Sequence, residues 1–201
     1  VRLPSLRRLR RAELPADTVA LARALIGAVV VREWRGERLA GRIVETEAYP
    51  PGDAAGHAFI GETARNRSLF LRRGHAYVYF VYGMHFLLNV SSESAGVGAG
   101  VLVRALEPLA GVAAMQRLRG TARLTELARG PGRVAQALAV DLRQDGLDLC
   151  APGPLWLAAP PAAPGAIASS VRIGITRDAH RVLRFYERGN PHVSGPRRLR
   201  A

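Results

Sequence analysis

Two short stretches of the chain concentrate the side chains suited to acid–base and recognition chemistry. The first runs Arg42-Ile43-Val44-Glu45-Thr46-Glu47-Ala48-Tyr49. In a strand, residues two apart share a face, so Glu45, Glu47 and Tyr49 point the same way. Two like charges on one face repel, and strands disfavour Glu. The stretch is therefore either an exposed polar face or a carboxylate serving as general base on water, with aromatic walls nearby. The second stretch runs Tyr77-Val78-Tyr79-Phe80-Val81-Tyr82-Gly83-Met84-His85. Here Tyr77 and Tyr79 share one face, and Val78 and Phe80 take the core face. The two tyrosines either pack in a core or stack a nucleobase. Tyr82 is out of phase at a hairpin tip, where a protruding ring suits a wedge between base pairs.

Other chemistry-bearing residues are less informative. His75 and His85 flank the tyrosine strand and read as surface or core-satisfied groups. His57, His180 and His192 have no metal-like spacing with acids, so no metal and no cofactor are expected. Gly130-Pro131-Gly132 before Arg133 either presents amide N–H groups to a phosphate or is a plain loop-to-helix turn. Cys150 reads as structural or simply exposed.

The elements that must position these groups follow from periodicity and punctuation. Residues 1–12 carry five Arg and no acid, and read as a loosely held basic arm before a single domain over 13–201. Asp17 caps a helix through Leu25, with Gly27 as its stop signal. Ala28–Trp34 and Arg38–Ala48 are strands joined by the turn Arg35-Gly36-Glu37. Pro50–Gly61 is a loop, and a short basic helix covers Arg65–Leu71. His75–Val81 and Phe86–Ser91 form a hairpin, and Val101–Glu107 is a further strand. Leu109–Leu118 and Gly132–Val140 have helical spacing. Ala151–Ser170 is biased toward Ala and Pro and reads as an irregular surface excursion. Val171–Ile175 and Leu183–Tyr186 are late strands. The pattern is one α+β domain dominated by an antiparallel sheet.

Composition sets the outer limits. The 201 residues suffice for one ordinary domain and are too few for two large ones. At 48% hydrophobic and 22% charged, the chain can bury a sizeable core. A lone Cys excludes an intrachain disulfide framework and any Cys-rich zinc site. The absence of a long apolar run argues against a membrane span, and the Arg-rich start lacks the apolar stretch of a secretory signal. The chain reads as cytoplasmic, and nucleoid-associated if bacterial. Net charge is +13, carried entirely by Arg with no Lys. A GC-rich base composition accounts for the missing Lys but not for the excess of Arg over acids. That excess points to a polyanionic partner.

Taken together, the motifs resemble the alkyladenine (3-methyladenine) DNA glycosylase family. The resemblance rests on Arg42–Tyr49, Arg65-Asn66-Arg67, Tyr77–Asn89 and Arg104-Ala105-Leu106-Glu107-Pro108. It continues through Gly130-Pro131-Gly132-Arg133, Gln136-Ala137-Leu138, Arg172-Ile173-Gly174-Ile175 and Leu183-Arg184-Phe185-Tyr186. The ordered set spans roughly residues 18–195. The resemblance implies a strongly curved sheet flanked by short helices, with a β-hairpin inserting into the DNA minor groove. It implies that Glu47 deprotonates the attacking water, which Arg104 and the main chain of Ile175 hold. Tyr49, His57 and Tyr79 would sandwich the flipped base, with Tyr77 beside them, and Asn89 would disfavour guanine by crowding its exocyclic amine. Tyr82, with Met84 beside it, would intercalate. The Tyr49–His57 spacing is one residue short of the family pattern, and Ala64 stands where Pro is common before Arg65-Asn66.

The resulting expectation is a monomeric, monofunctional glycosylase acting on alkylated or deaminated purines in damaged double-stranded DNA. The chemistry is consistent with that assignment. A base must be extruded before it is reached, and an alkylated purine is already a cationic leaving group that tyrosine faces favour. One carboxylate then suffices, so Glu45 is not required as a partner. The rival is a non-catalytic nucleic-acid-binding module that uses the tyrosine strand for stacking. A carbohydrate hydrolase fits poorly, because carboxylates two apart on one strand do not flank a sugar from opposite sides.

Overall fold

A computed structural model describes residues 6–81 and 83–199, without the side chain of Arg198. Asp17 accepts from the Ala20 amide at 2.7 Å and starts helix α1 (Thr18–Ala24), as its position before the apolar run predicts. The strands β1 (Val29–Trp34) and β2 (Glu37–Tyr49) follow, joined by a tight turn at Arg35 and Gly36, both with positive φ. Next come β3 (Ala76–Val81), β4 (His85–Ser91) and the long β5 (Gly100–Ala110). Gly111, at φ +68°, turns the chain from β5 into helix α2 (Val112–Arg119). A Cβ there would lie 2.7 Å from the Arg38 carbonyl oxygen, so only glycine fits. This corner is why α2 starts later than the helical spacing from Leu109 predicts. The short α3 (Leu124–Leu127) and α4 (Pro131–Ala137) precede β6 (Leu155–Ala158), β7 (Ile167–Ser170) and β8 (Arg184–Glu187).

All these strands join one antiparallel, strongly curled sheet in the order β3-β4-β5-β2-β1-β6, with β8 on β2 and β7 on β8. The long β2 is its spine. It keeps β5 along one edge while its other edge passes from β1 (residues 37–42) to β8 (residues 45–47). Register shifts on β2 and β5 bend the spine between these two sets of partners. The helices α1, α2 and α4 cover one face, where Leu21, Leu25, Ile43, Leu106, Met115 and Val134 form the main core. Among the described residues, no helix is long and apolar enough to cross a membrane.

Five sequence expectations give way to the structure. The stretch 151–170 is not an irregular excursion, because Leu155, Trp156 and Leu157 are buried by adding β6 to the free edge of β1, and 167–170 form β7. Val171–Ile175 is not a strand. Gly174 turns at φ +78°, and the Ile173 amide is spent on a side chain instead of a ladder. Phe80 is not core but 42% exposed, since β4 pairs with β5 only over Asn89–Ser91 and no further strand lies beside the hairpin beyond that point. Finally, the basic arm is held down over residues 7–12. The Leu9 amide donates to the Leu157 carbonyl at 2.9 Å, Arg11 pairs with Asp148, and the Leu9 side chain is buried. The expected helix near residue 65 is a single 3-10 turn, Arg67–Phe70.

Candidate active site

The register shifts that bend β2 also assemble the site. Pairing runs Ile43 with Leu106, Glu45 with Ala105 and Thr46 with Val103, so Val44 and Arg104 are the residues left over. Arg104 thereby falls between the paired positions of β5 and turns its guanidinium onto the carboxylates of β2. Its Nε donates to Glu45 Oε1 at 3.0 Å and its Nη1 to Glu47 Oε2 at 3.1 Å. Both carboxylates are completely buried, which removes the exposed-polar-face alternative for this stretch.

The two carboxylates differ in their surroundings. Glu45 accepts from Arg104, from Arg184 Nε at 2.6 Å, and from both the amide and the hydroxyl of Ser194. These partners outweigh burial and hold its pKa below the ordinary carboxylate range. Glu47 shares only Arg104, and otherwise accepts from the Ile173 amide at 2.7 Å and the Tyr49 hydroxyl at 3.0 Å. Burial pushes its pKa up, and the Arg104 charge opposes that only in part. Burial and the Glu47 charge likewise raise the Tyr49 phenol, so Tyr49 remains a neutral donor. A carboxylate offers about four acceptor positions. Glu47 uses one on Oε1 and two on Oε2, which leaves one acceptor position on Oε1 unused.

Above this pair opens a cavity of about 380 Å³, lined by Tyr49, His57, Tyr77, Tyr79, Asn89, Arg104 and Ile175 among others. The sequence-derived wall residues thus meet in one place. Tyr77 and Tyr79 stack at 5.2 Å between centroids, as their shared strand face predicts. His57 meets Tyr79 edge-on at 4.4 Å and places Nδ1 2.8 Å from the Tyr77 hydroxyl. Burial, with the nearby Arg65 charge, lowers the His57 pKa, which favours the neutral ring. Asn66 fixes the loop that carries His57. Its Nδ2 donates to the carbonyls of His57 and Gly61, and its Oδ1 accepts from the Thr63 amide. Asn89 donates to the Tyr77 carbonyl at 3.2 Å and is 6% exposed at the cavity wall.

Four contributors carry no assigned role in the sequence reading, although three of them stand in motifs that carry the resemblance. The Ile173 amide binds Glu47, and Ile175, whose main chain the resemblance assigns to the water, lines the cavity. Arg172 is fully buried, pairs with Asp53 at 2.8 Å and lies over the Tyr49 ring at 4.6 Å. It clamps the 172–175 turn to the end of β2. Ser194 and Arg184 form the layer behind Arg104. Arg172 and Arg184 sit in apolar stretches, which was the available signal, but an Arg-rich composition conceals it. At the projecting hairpin Met84 is 69% exposed next to Gly83, whereas Tyr82 lies outside the described residues.

Known proteins resemble this chain over most of its length. A family model described as methylpurine-DNA glycosylase matches residues 12–191. A protein of Mesorhizobium japonicum named as a 3-methyladenine DNA glycosylase is 63% identical over 191 residues, covering 95% of this chain and 92% of its own length. One of the same name from Paraburkholderia phytofirmans is 47% identical, covering 95% and 90%. The human DNA-3-methyladenine glycosylase is 45% identical over 193 residues, covering 88% of this chain and 64% of the human protein.

Proposed function

The chain belongs to the methylpurine-DNA glycosylase family, and from that footing we propose that it hydrolyses the N-glycosidic bond of alkylated or deaminated purines in damaged duplex DNA. The observation that carries this reading is a buried carboxylate, Glu47, held by Arg104, Tyr49 and the Ile173 amide, three residues that line an aromatic cavity. A base-stacking module has no use for such a group.

In the proposed reaction the lesion leaves the duplex and enters between Tyr49, His57 and Tyr79, with Tyr77 and Asn89 at its edges. Extrusion costs least for a damaged or mispaired base. A cationic alkylpurine gains further from the tyrosine faces. Water bound at Glu47 gives its proton to the carboxylate as its oxygen bonds to the sugar C1′. The C1′–N bond breaks and its electron pair stays on the base, which leaves neutral when it entered as a cation. Arg104 and the backbone near residues 173–175 hold Glu47 and the water in line, and positioning of this kind supplies much of the rate. The hairpin tip, Tyr82 with Met84, enters from the minor groove and fills the vacated stack. The protein acts as a monomer. It leaves an intact strand with an abasic site, because it lacks the Lys that forms imines with the sugar.

The decisive experiment incubates methylated duplex DNA with the wild type and Glu47→Gln and measures free methylpurine. Release by the wild type and its loss in the variant support the reading. No release from either makes the protein a binding module.

A further inference from the structure

Behind the proposed catalytic pair lies a second, fully buried layer that the reaction above does not use. We propose that Glu45, Arg184 and Ser194 are positioning residues that set how much of the Arg104 charge reaches Glu47, and so fix the basicity of the general base. This inference rests on the assignment of Glu47 as that base.

The geometry is a chain of shared partners. Glu45 Oε1 takes Arg104 Nε at 3.0 Å, Arg184 Nε at 2.6 Å and the Ser194 hydroxyl at 3.0 Å, while Oε2 takes the Ser194 amide at 2.6 Å. The carboxylate is saturated, and Arg104 divides its guanidinium between Glu45 and Glu47. Arg184 is itself fixed, through Nη1 to Ser170 Oγ and the Leu199 carbonyl and through Nη2 to the Ser194 carbonyl. Residues 192–199 thus form a strap across the back of the site, held also by Arg129 Nε on the Val193 carbonyl at 3.0 Å. The strap presses on the turn that feeds Glu47. A Cβ at Gly195, whose φ is +84°, would lie 2.4 Å from Ile173 Cδ1, and the Ile173 amide is a Glu47 donor.

Such an arrangement suits a base better than a lone Arg–Glu pair would. A carboxylate that owned Arg104 outright would be a weak base, because a neighbouring cation lowers its pKa. Diverting part of that cation to a second, permanently ionised carboxylate restores basicity while Arg104 still orients Glu47. The charged and titratable groups facing Glu47 are Arg104 from β5, Glu45 and Tyr49 from β2, with Arg184 on β8 beyond Glu45 and Arg172 beyond Tyr49. The two carboxylates titrate as a pair, so a change at either moves the other.

The test is the pH profile of single-turnover excision from methylated duplex DNA. A cationic lesion is chosen so that protonation of the leaving base does not enter. Glu45→Gln releases Arg104 to Glu47 and removes a repelling charge, so the acid limb should move down by about one pH unit or more. Ser194→Ala keeps the amide donor but removes the hydroxyl, and the 3.5 Å contact from Arg104 to that hydroxyl is too long to matter much. Glu45 then draws harder on Arg104, and the limb should move up. Ser194→Thr should restore it. Opposite shifts are a signature that loss of stability does not produce. If both variants melt earlier yet keep the wild-type limb, the layer is structural only and the proposal is overturned. If Glu45→Gln does not fold, the limb of Ser194→Ala alone decides. A limb that persists in Glu47→Gln would instead remove Glu47 as the base, which is a distinguishable failure.

Discussion

Arg172 stacks its guanidinium over the ring of Tyr49 at 4.6 Å while pairing with Asp53 at 2.8 Å, with neither partner of the ion pair exposed. One side chain therefore joins the end of β2, the loop that begins at Pro50 and the turn that supplies the Ile173 amide. Its third bond, from Nη1 to the Ala48 carbonyl at 3.0 Å, locks the same corner. Truncation to Arg172→Ala leaves the Asp53 carboxylate buried with the Ala55 amide at 2.9 Å and, as its one remaining cation, the partly exposed Arg181 at 3.0 Å. Breaking a buried pair in this way costs about 3–5 kcal/mol, and the residual Arg181 contact places this case near the lower end. Denaturant unfolding should show that loss. Excision at a temperature where the variant is folded should fall as well, because Tyr49 loses its support. A loss below about 1 kcal/mol would mean Arg181 replaces the clamp.

Glu47→Gln should retain lesion binding and lose excision. The amide keeps the shape of the carboxyl but does not accept the proton of water at neutral pH. The expected loss is at least about a hundredfold, the low end for positioned acid–base groups. Single-turnover release of base checks the rate, and gel-shift titration with a lesion duplex checks binding. Excision within tenfold of wild type would remove Glu47 from the mechanism.

The wild-type pH profile follows from the same residue. Burial raises the Glu47 pKa, and only the deprotonated form abstracts a proton. Excision of a cationic methylpurine should therefore rise as pH increases through a limb lying above the ordinary carboxylate range, and fall away below it. The linked stability runs the other way. An acid with a raised folded pKa is costly to ionise in the folded state, so Glu47 lowers stability as pH rises past its unfolded value. A limb at or below about pH 4, the unperturbed Glu range, would contradict this environment.

The two hairpins were legible in the sequence because strands obey a simple period, whereas His57 and Asn89 were reached only through the family resemblance. Alternation placed Glu47 and Tyr49 on one face and Tyr77 beside Tyr79, and the structure stacks those two tyrosines. Alternation also fails where register shifts. The displacement at Val44 and Arg104 is what brings Arg104 onto both carboxylates, and no pattern in the residues announces it. Phe80 was misread because a period says which residues share a face, not whether anything covers that face. The strand β6 was missed for a compositional reason. Leu155-Trp156-Leu157 is a short apolar run among Ala and Pro, and it becomes a strand only because β1 offers a free edge. The role of Ser194 is a tertiary effect, since its partner Glu45 lies 149 residues away.

Tyr82→Ala should weaken capture of the flipped state more than general DNA affinity. In the proposed reaction the wedge fills a stacking gap, whereas Arg–phosphate contacts supply most of the nonspecific binding. A fluorescent base-flipping probe with unchanged amplitude in this variant would eliminate the hairpin-tip wedge. Binding of the wild type should weaken steeply from about 50 to 200 mM salt, with a slope near −0.9 per phosphate neutralised. A flat response would leave the net charge of +13 without a part in binding.

The proposed outcome, an intact strand with an abasic site, rests on the lysine content of the sequence. A glycosylase that also cuts the backbone attacks the sugar with an amine, forms an imine, and then eliminates the phosphate. The side chain suited to that attack is Lys, and the sequence has none. Arg does not substitute, because its guanidinium stays protonated at any working pH. Here the arginines nearest the cavity floor are also committed, Arg104 to two carboxylates and Arg172 to Asp53. In the proposed reaction water activated at Glu47 is the nucleophile, and its attack leaves a free sugar hydroxyl at C1′ with both phosphates intact. Borohydride added during turnover should trap no covalent protein–DNA adduct, and strand breaks should appear only after alkali or a separate lyase. Efficient trapping would show that an amine reaches C1′ after all, and the water-attack role of Glu47 would have to be abandoned.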